Sequence, residues 1–407
     1  MNTGKLRRLD YLPALYLHIP FCSTKCSYCD FFSLPGVASE LQFQVLKKTV
    51  KQAETLLREI APEKTDTFYV GGGTPNSLPP AGFTYLLQAL SGFAEVLSPG
   101  EWTVELNPEH LTVSQLGQLH SAGVTRLSVG IQSFSPSVLR LFGRNASREE
   151  NLNALSLLKE YWTGDLNLDL ITAVPGQDNA RALEDLETAL GFAPDHISLY
   201  NLTFEEGTKL SRSMEQGKIR PREEEDAAEL LLLLWERLAE EGYEHYEVSN
   251  FAKTGHRSRH NLHYWQMDPY AGAGPGSVST LPANEGDAEE GFPVRLETTR
   301  DLEVFLRRFS PGEETITPEQ FLLEYLMMGL RTRPGLSLQR FRRIFGHGVR
   351  ELLQGTLLRY GGLLELQGGG GEEEFLGPTE QGMLLLDSIL ADAAVEIGDI
   401  RPELRWP

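Results

Sequence analysis

Cysteine is scarce: the chain has three in 407 residues, Cys22, Cys26 and Cys29, all within eight consecutive positions. An odd, clustered set is unlike the paired, spread cysteines of a secreted disulfide framework, so a reducing, cytoplasmic setting is expected. Long apolar runs are missing as well. The longest, Leu230 to Trp235, falls far short of the roughly 20 residues that span a bilayer, and no membrane span is expected. The opening MNTGKLRRLDYLPALYLHIPF starts basic, but Asp10, Pro13 and His18 break the apolar stretch that a secretory signal needs. It reads as the lead-in to a strand. Positive charge is also short, with 37 Lys and Arg against 57 Asp and Glu and a net charge of -20. Without a basic patch such a chain repels phosphate backbones, so nucleic acid is not an expected partner.

What is present is ordinary globular composition, 41% hydrophobic and 23% charged. Single cores rarely grow beyond ~250 to 300 residues, so a main domain and a smaller one are expected. From Leu15 to about Tyr200, six β-rich runs alternate with helical patterns, which predicts βα units around a parallel sheet. The runs are 14–19, 66–70, 102–106, 126–131, 166–171 and 196–202. Six strands are too few for the usual eight-stranded closure, so the expectation is α/β: a partial (β/α)6 TIM-type barrel, open, with a smaller, mainly helical C-terminal domain. The stretch 227–243 reads as an amphipathic helix whose leucines pack on the sheet, and the EEED run before it as solvated surface. Residues 286–291 read as a loop, and Gly368 to Gly371 as a hairpin tip, because no Lys or Ser/Thr follows as a phosphate loop requires.

The cysteines fall in HIPFCSTKCSYCDF as C-x3-C-x2-C, directly after the first strand. Thiolates are the ligands of iron-sulfur clusters, yet a cubane held wholly by protein takes four, so three leave one iron with an open position. A tetrahedral zinc site built from the three Cys and His18 is the alternative reading, and inert core cysteines a third. One βα unit later comes Gly71-Gly72-Gly73-Thr74-Pro75, which by itself reads equally as a tight turn.

The two motifs on consecutive βα units, with Tyr16 in the first strand, resemble the radical S-adenosylmethionine (SAM) superfamily. That resemblance implies a 4Fe-4S cluster on Cys22, Cys26 and Cys29, with SAM chelating the open iron and cleaved on reduction to a 5'-deoxyadenosyl radical. It implies that Gly72, Gly73 and Thr74 meet the methionine amino group, and that Glu105, Gln132 and Asp169 take the sugar and carboxylate regions, with Arg144 as the carboxylate's partner. Tyr16 and Tyr28 would pack on cofactor or cluster. Ionic pairs and core aromatics are the plain alternatives for these residues.

Further segments narrow the resemblance: PGQ at 175–177, HISLYNLTFEEGT at 196–208, YEVSNFAKTGHRSRHNLHYW at 246–265 and LLEYLMMGLRTRPG at 322–335. They are similar to the group that includes oxygen-independent coproporphyrinogen III oxidase, also called the dehydrogenase, and a haem chaperone. Phe31 stands where the dehydrogenase carries a fourth cysteine, and H-N-x-x-Y-W at 260–265 matches the chaperone branch. The resemblance therefore implies haem contacts at His260, His263, Tyr264 and Trp265, with His260 favoured, against the alternative of a packing corner whose histidines bond to protein. Ala146 and Val278 stand where that group often has histidines. The expected units are 11–240 for the barrel with cluster and SAM, 241–297 for an extension carrying H-N-x-x-Y-W, and 298–407 for the helical domain. Expected partners are haem or porphyrin, a haem-acceptor protein and a small electron-donor protein. Porphyrin decarboxylation and a zinc-bound interaction protein are the competing functions.

Overall fold

Strands of a parallel barrel turn alternate side chains outward to the helices and inward, and the six runs alternate in that way, as Trp102, Val104 and Leu106 do against Thr103 and Glu105. In the computed structural model, which describes residues 6–282, 293–307, 311–368 and 373–398, each run forms a strand. They are β1 (Tyr11–Ile19), β4 (Lys64–Gly72), β5 (Glu101–Leu106), β6 (Arg126–Gln132), β7 (Asp165–Thr172) and β8 (His196–Asn201). Two short strands, β2 (Phe21–Cys22) and β3 (Leu34–Pro35), pair with each other beside them. The six long strands pair in parallel in chain order, from β1 to β8.

Helices cover the sheet where the three- and four-residue spacing predicted them. The longest, α1 (Ser39–Ile60), buries Val45, Leu46, Val50, Ala53, Leu56 and Ile60 along one face. Then follow α2 (Pro80–Leu97), α3 (Val113–Ala122), α4 (Pro136–Phe142), α5 (Arg148–Tyr161), α6 (Asn179–Leu190), α7 (Lys209–Glu215) and α8 (Glu224–Glu240). Local chemistry starts several of them: Pro sits in the first turn of α2 and α4, and Ser147 with Glu150 forms a reciprocal cap on α5. In α8 the leucine stripe is buried through Leu230, Leu234 and Leu238 with Trp235, as the sequence suggested.

The sheet is larger than six strands. At one edge β8 pairs antiparallel with β10 (Asn250–Ala252), which pairs with β9 (Glu244–Glu247). At the other, β11 (Tyr270–Ala273) joins β1 in parallel, followed by antiparallel β12 (Val278–Pro282), β13 (Pro293–Glu297) and β14 (Gly312–Thr315). The order β14-β13-β12-β11-β1-β4-β5-β6-β7-β8-β10-β9 ends in two different strands, so the barrel stays open. The sheet therefore runs past position 298, and the helical part that follows it starts with the helix Pro318–Gly329. That part also holds a small sheet of β15 (Leu336–Ser337), β17 (Phe375–Pro378) and β16 (Leu364–Gln367). The loop expected at 286–291 and the glycines 369–371 of the expected hairpin tip lie outside the described residues. Among the described residues no helix is long and apolar enough to cross a membrane.

A ninth helix, α9 (Arg259–Trp265), closes the end of the barrel where the strands begin. Its first backbone N–H groups, on Arg259 and His260, donate to the Glu101 carboxylate at the start of β5, at 2.9 and 3.0 Å. The preceding loop meets the next strand, where Arg126 at the start of β6 donates to the His256 carbonyl at 2.9 Å. Negative charge at a helix N-terminus is favourable, which explains why a buried glutamate is tolerated there.

The helical part hangs on the opposite sheet edge. Val248 N–H donates to Arg331 O at 2.8 Å and Arg333 N–H to Tyr246 O at 3.0 Å. Between them Glu247 is fully buried, accepting from Ser249 N at 2.9 Å and from the Asn250 side chain. Burial pushes its carboxyl from the ordinary 4.5 up to about 7, the Ser249 N–H pulling it only partly back. Such a group binds more protons folded than unfolded, so its stability contribution is present below about pH 4.5 and is lost as pH rises through about 7. Urea denaturation of the metal-free protein at pH 5 and pH 7.5 should show most of this loss, about 2 kcal/mol. Glu247→Gln should flatten that part of the pH dependence.

Candidate functional site

The cysteine loop begins where β1 has ended and is held by backbone at several points. Phe21 and Cys22 pair with Leu34 and Pro35, closing the loop at its base. Ser27 anchors its middle: its N–H donates to Phe142 O at 2.8 Å, its hydroxyl to Leu141 O at 2.6 Å, and its carbonyl accepts from Leu210 N at 2.8 Å. Tyr28 packs edge-on against Phe142 with ring centres 4.8 Å apart. The three cysteines are free thiols, half-exposed, on the wall of a cavity of about 810 Å³. Burial pushes the Cys22 and Cys29 thiols up. Donors stand ready for the thiolate forms: Thr74 Oγ1 lies 3.5 Å from Cys22 Sγ, and Arg144 Nη1 lies 3.7 Å from Cys26 Sγ.

The glycine run is a close approach between chains. Gly72 has φ of +104°, and a Cβ there would stand 2.3 Å from the His18 ring. At Gly73 a Cβ would stand 2.5 Å from Phe21 O and 2.7 Å from Ile19 O, because the Gly73 and Thr74 amides bond to those carbonyls. The glycines thus press the β4 end onto the start of the cysteine loop. Gly72 N–H donates to Glu105 Oε2 at 2.9 Å, and Tyr69 OH to Glu105 Oε1 at 2.8 Å. Burial lifts the Glu105 carboxyl to about 7 against these two bonds.

Asp169 lies across the barrel, accepting from Asn167 Nδ2 at 2.7 Å and Ser128 Oγ at 3.1 Å, and burial raises its pKa too. Gln132 ends β6 at φ of +66°, where the register with β7 slips. Arg144 reaches in from the turn after α4, donating to Gly130 O at 2.5 Å and Asn107 Oδ1 at 3.3 Å. Its Nε is buried without an acceptor. Arg144 also lines the cavity, where a guanidinium suits a ligand carboxylate.

Of the expected site residues, Cys22, Cys26, Cys29, Tyr28, Gly72, Gly73, Thr74, Glu105, Gln132, Arg144 and Asp169 all face this one cavity. Tyr16 does not. Its hydroxyl bonds His18 Nδ1 at 2.9 Å, and its ring lies against Tyr69 at 6.0 Å, one layer away. Both His18 nitrogens are engaged, since Nε2 meets Phe32 O at 2.9 Å. A zinc ion would need its four ligand atoms roughly 4 Å apart. Among the described residues, the one group of three or more such ligands gathered within 4.8 Å is Asp165, Asp195 and His256, which excludes the cysteines. The geometry does not favour the zinc alternative.

The H-N-x-x-Y-W residues stand apart from the cavity. His260 is buried inside α9 with Nδ1 2.7 Å from Thr67 Oγ1 and Nε2 3.0 Å from Tyr264 OH. His263 holds Asp268 at 2.8 Å and Asp66 at 2.9 Å. None of His260, His263, Tyr264 and Trp265 lines the cavity wall, whereas Ser258 and Asn261 do. Sequence reasoning missed Asn107, Ser128 and Asn167, which share the strand faces of Glu105 and Asp169. Period-two alternation along β5, β6 and β7 was the signal. It also missed Leu231, Trp235, Val248, Met383 and Leu384, which add apolar lining to the cavity from α8, the β9–β10 turn and the helical part.

Comparison with known proteins places these features. The Radical SAM superfamily profile matches residues 16–189, and the HemN C-terminal domain profile matches 316–385. The chain is 34% identical to the mitochondrial radical S-adenosyl methionine domain-containing protein 1 of Bos taurus, over 93% of this chain and 86% of that one. It is 32% identical to the heme chaperone HemW of Synechocystis sp., covering 93% and 92%. Among solved structures, coproporphyrinogen III oxidase (HemN) from Escherichia coli superposes with a TM-score of 0.77 at 19% identity, covering 95% and 91%.

The close approach at Gly73 gives a direct test of the site's assembly. Gly73→Ala should destabilise the metal-free fold by about 1–3 kcal/mol in a thermal or urea melt, since only backbone could move aside. It should also lower the iron bound per chain after anaerobic reconstitution.

Proposed function

The chain belongs to the radical SAM superfamily, in the group whose members carry a HemN C-terminal domain, and on that premise we propose that it is a haem chaperone of the HemW kind. On this reading Cys22, Cys26 and Cys29 hold a 4Fe-4S cluster whose fourth iron position takes SAM. The reading is supported above all by one observation: the three thiols, the Gly72-Gly73-Thr74 turn, Glu105, Asp169 and Arg144 converge on a single cavity. The donor set fits, because three thiolates are one short of a fully protein-bound cubane.

Each side chain then has a task. Arg144, which lines the cavity, takes the SAM carboxylate. The turn at Gly72 to Thr74 receives the amino group, beside the Glu105 carboxyl that a cation would draw into its charged form. Asp169 and Gln132 accept the ribose hydroxyls, and Tyr28 packs beside the cluster loop. When bound, cluster and SAM supply the one-electron chemistry that amino-acid side chains lack. The protein orients them and keeps water out.

Haem is placed by this proposal on the apolar lining of the cavity rather than on α9. A macrocycle needs a broad apolar face, and Leu231, Trp235, Val248, Met383 and Leu384 offer one on the same cavity. From there it would pass to an acceptor protein, with electrons reaching the cluster from a small donor protein. A reducing compartment, the cytoplasm, suits an exposed cluster.

Anaerobic reconstitution and haem titration test this function. The expected result is a brown four-iron protein that binds haem saturably and returns coproporphyrinogen unchanged, and Leu384→Glu should weaken haem by about tenfold (about 1.4 kcal/mol). Decarboxylated coproporphyrinogen would establish the oxidase instead, and bound zinc would establish neither.

A further inference from the structure

The H-N-x-x-Y-W helix is left without a ligand in this account, yet two chains of contacts run from it to the two buried carboxylates of the cavity. The first goes through β4. His260 stacks on Tyr69 with ring centres 4.8 Å apart and planes 29° from parallel. Tyr69 OH in turn donates to Glu105 Oε1 at 2.8 Å. Thr67 hydrogen-bonds the His260 ring and lies on the same strand face as Tyr69, so the imidazole is fixed at both nitrogens and on one face.

The second chain begins at Ser258, the cap of α9. Its N–H donates to Tyr246 OH at 3.3 Å, and Tyr246 OH lies 2.8 Å from His196 Nε2. His196 Nδ1 lies 2.6 Å from Asn167 Oδ1, and Asn167 Nδ2 donates to Asp169 Oδ1 at 2.7 Å.

Proton positions along both chains are determined by their ends. An amide nitrogen can only donate, so the Tyr246 oxygen accepts from Ser258 and sends its own proton to His196 Nε2. His196 is then neutral with its proton on Nδ1, donating to Asn167, whose amide group faces Asp169. Burial pushes the His196 pKa well down, in keeping with a neutral ring. Thr67 Oγ1 donates to Pro13 O at 3.3 Å, so His260 Nδ1–H donates to Thr67, and Nε2 accepts from Tyr264. Burial lowers its pKa to about 3, so this ring is neutral as well.

We propose that α9 is a positioning element for the SAM site, with His260 and Tyr246 orienting Glu105 and Asp169 through Tyr69 and through His196 and Asn167. Neither His260 nor Tyr246 touches the ligand. The inference rests on the reading of Glu105 and Asp169 as SAM contacts. Outer partners that orient metal ligands typically matter by 10–100-fold when removed, and the lower end is expected here, where the oriented groups are not metal ligands.

The test is SAM affinity by calorimetry on the anaerobically reconstituted protein, with haem affinity, iron content and melting temperature measured on the same samples. His260→Ala, which removes the ring stacked on Tyr69, should weaken SAM by about tenfold while haem affinity and iron content hold. His260→Phe, which keeps a ring against Tyr69, should recover part of the loss. Tyr246→Phe should weaken SAM through the other branch. Unchanged SAM affinity in both His260→Ala and Tyr246→Phe would overturn the proposal, as would loss of haem affinity with SAM binding intact. If wild type bound no SAM, the underlying reading would fall and the proposal with it. Should a variant fail to fold, 15N spectra of the wild-type histidines decide: protonated Nδ1 in both His196 and His260 is expected, and protonated Nε2 in either breaks its chain.

Discussion

On the proposed reading, three sulfur ligands on one short loop would satisfy three corners of a four-iron cluster and no more, and much of the molecule serves to hold that loop against one mouth of the barrel. Its ends are tied by the β2 and β3 pair, its middle by Ser27, and its floor by glycines 72 and 73, where no Cβ fits. Without the close contact of the β4 end with the loop, the cysteines and the turn that follows β4 would not share a cavity. Placement of this kind depends on rigid backbone, and here the backbone belongs to adjacent parallel strands.

Electrostatics reinforces the division of the barrel. Among the residues of the cavity, Glu105 and Asp169 are carboxyls held above their ordinary range by burial, each facing donors that recover only part of the cost. Such groups are poised to gain from a cationic or hydroxyl-bearing ligand. At the closed end, Glu101 instead meets the first amides of α9 and stays a structural group. Two glutamates on one strand thus have opposite fates, set by what faces them.

The sequence revealed the six central strands because each is a compact apolar run bounded by turn residues, and the cysteine and glycine motifs because their spacing is local. It hid the outer strands for physical reasons. Tyr270–Ala273 is a four-residue strand containing Gly272, with little apolar periodicity, and it becomes a strand because β1 lies beside it. The same limit explains H-N-x-x-Y-W. His260 and Tyr264 stand one helical turn apart and bond each other, and Thr67 and Glu101, which complete the pocket, come from strands more than 150 residues earlier. A linear motif of histidine, tyrosine and tryptophan does not say whether it faces a ligand or a core. Asn107, Ser128 and Asn167 were accessible in principle, since each shares a strand face with a residue already singled out.

The central claim is an iron with no protein sulfur, occupied by the amino and carboxylate groups of SAM. Electron-nuclear double resonance on the reduced cluster, with SAM labelled by 15N in its amino group, tests it most directly. A resolved 15N coupling that vanishes when unlabelled SAM replaces it is the predicted result. A cluster that forms fully yet shows no coupling to the labelled nitrogen would contradict the account.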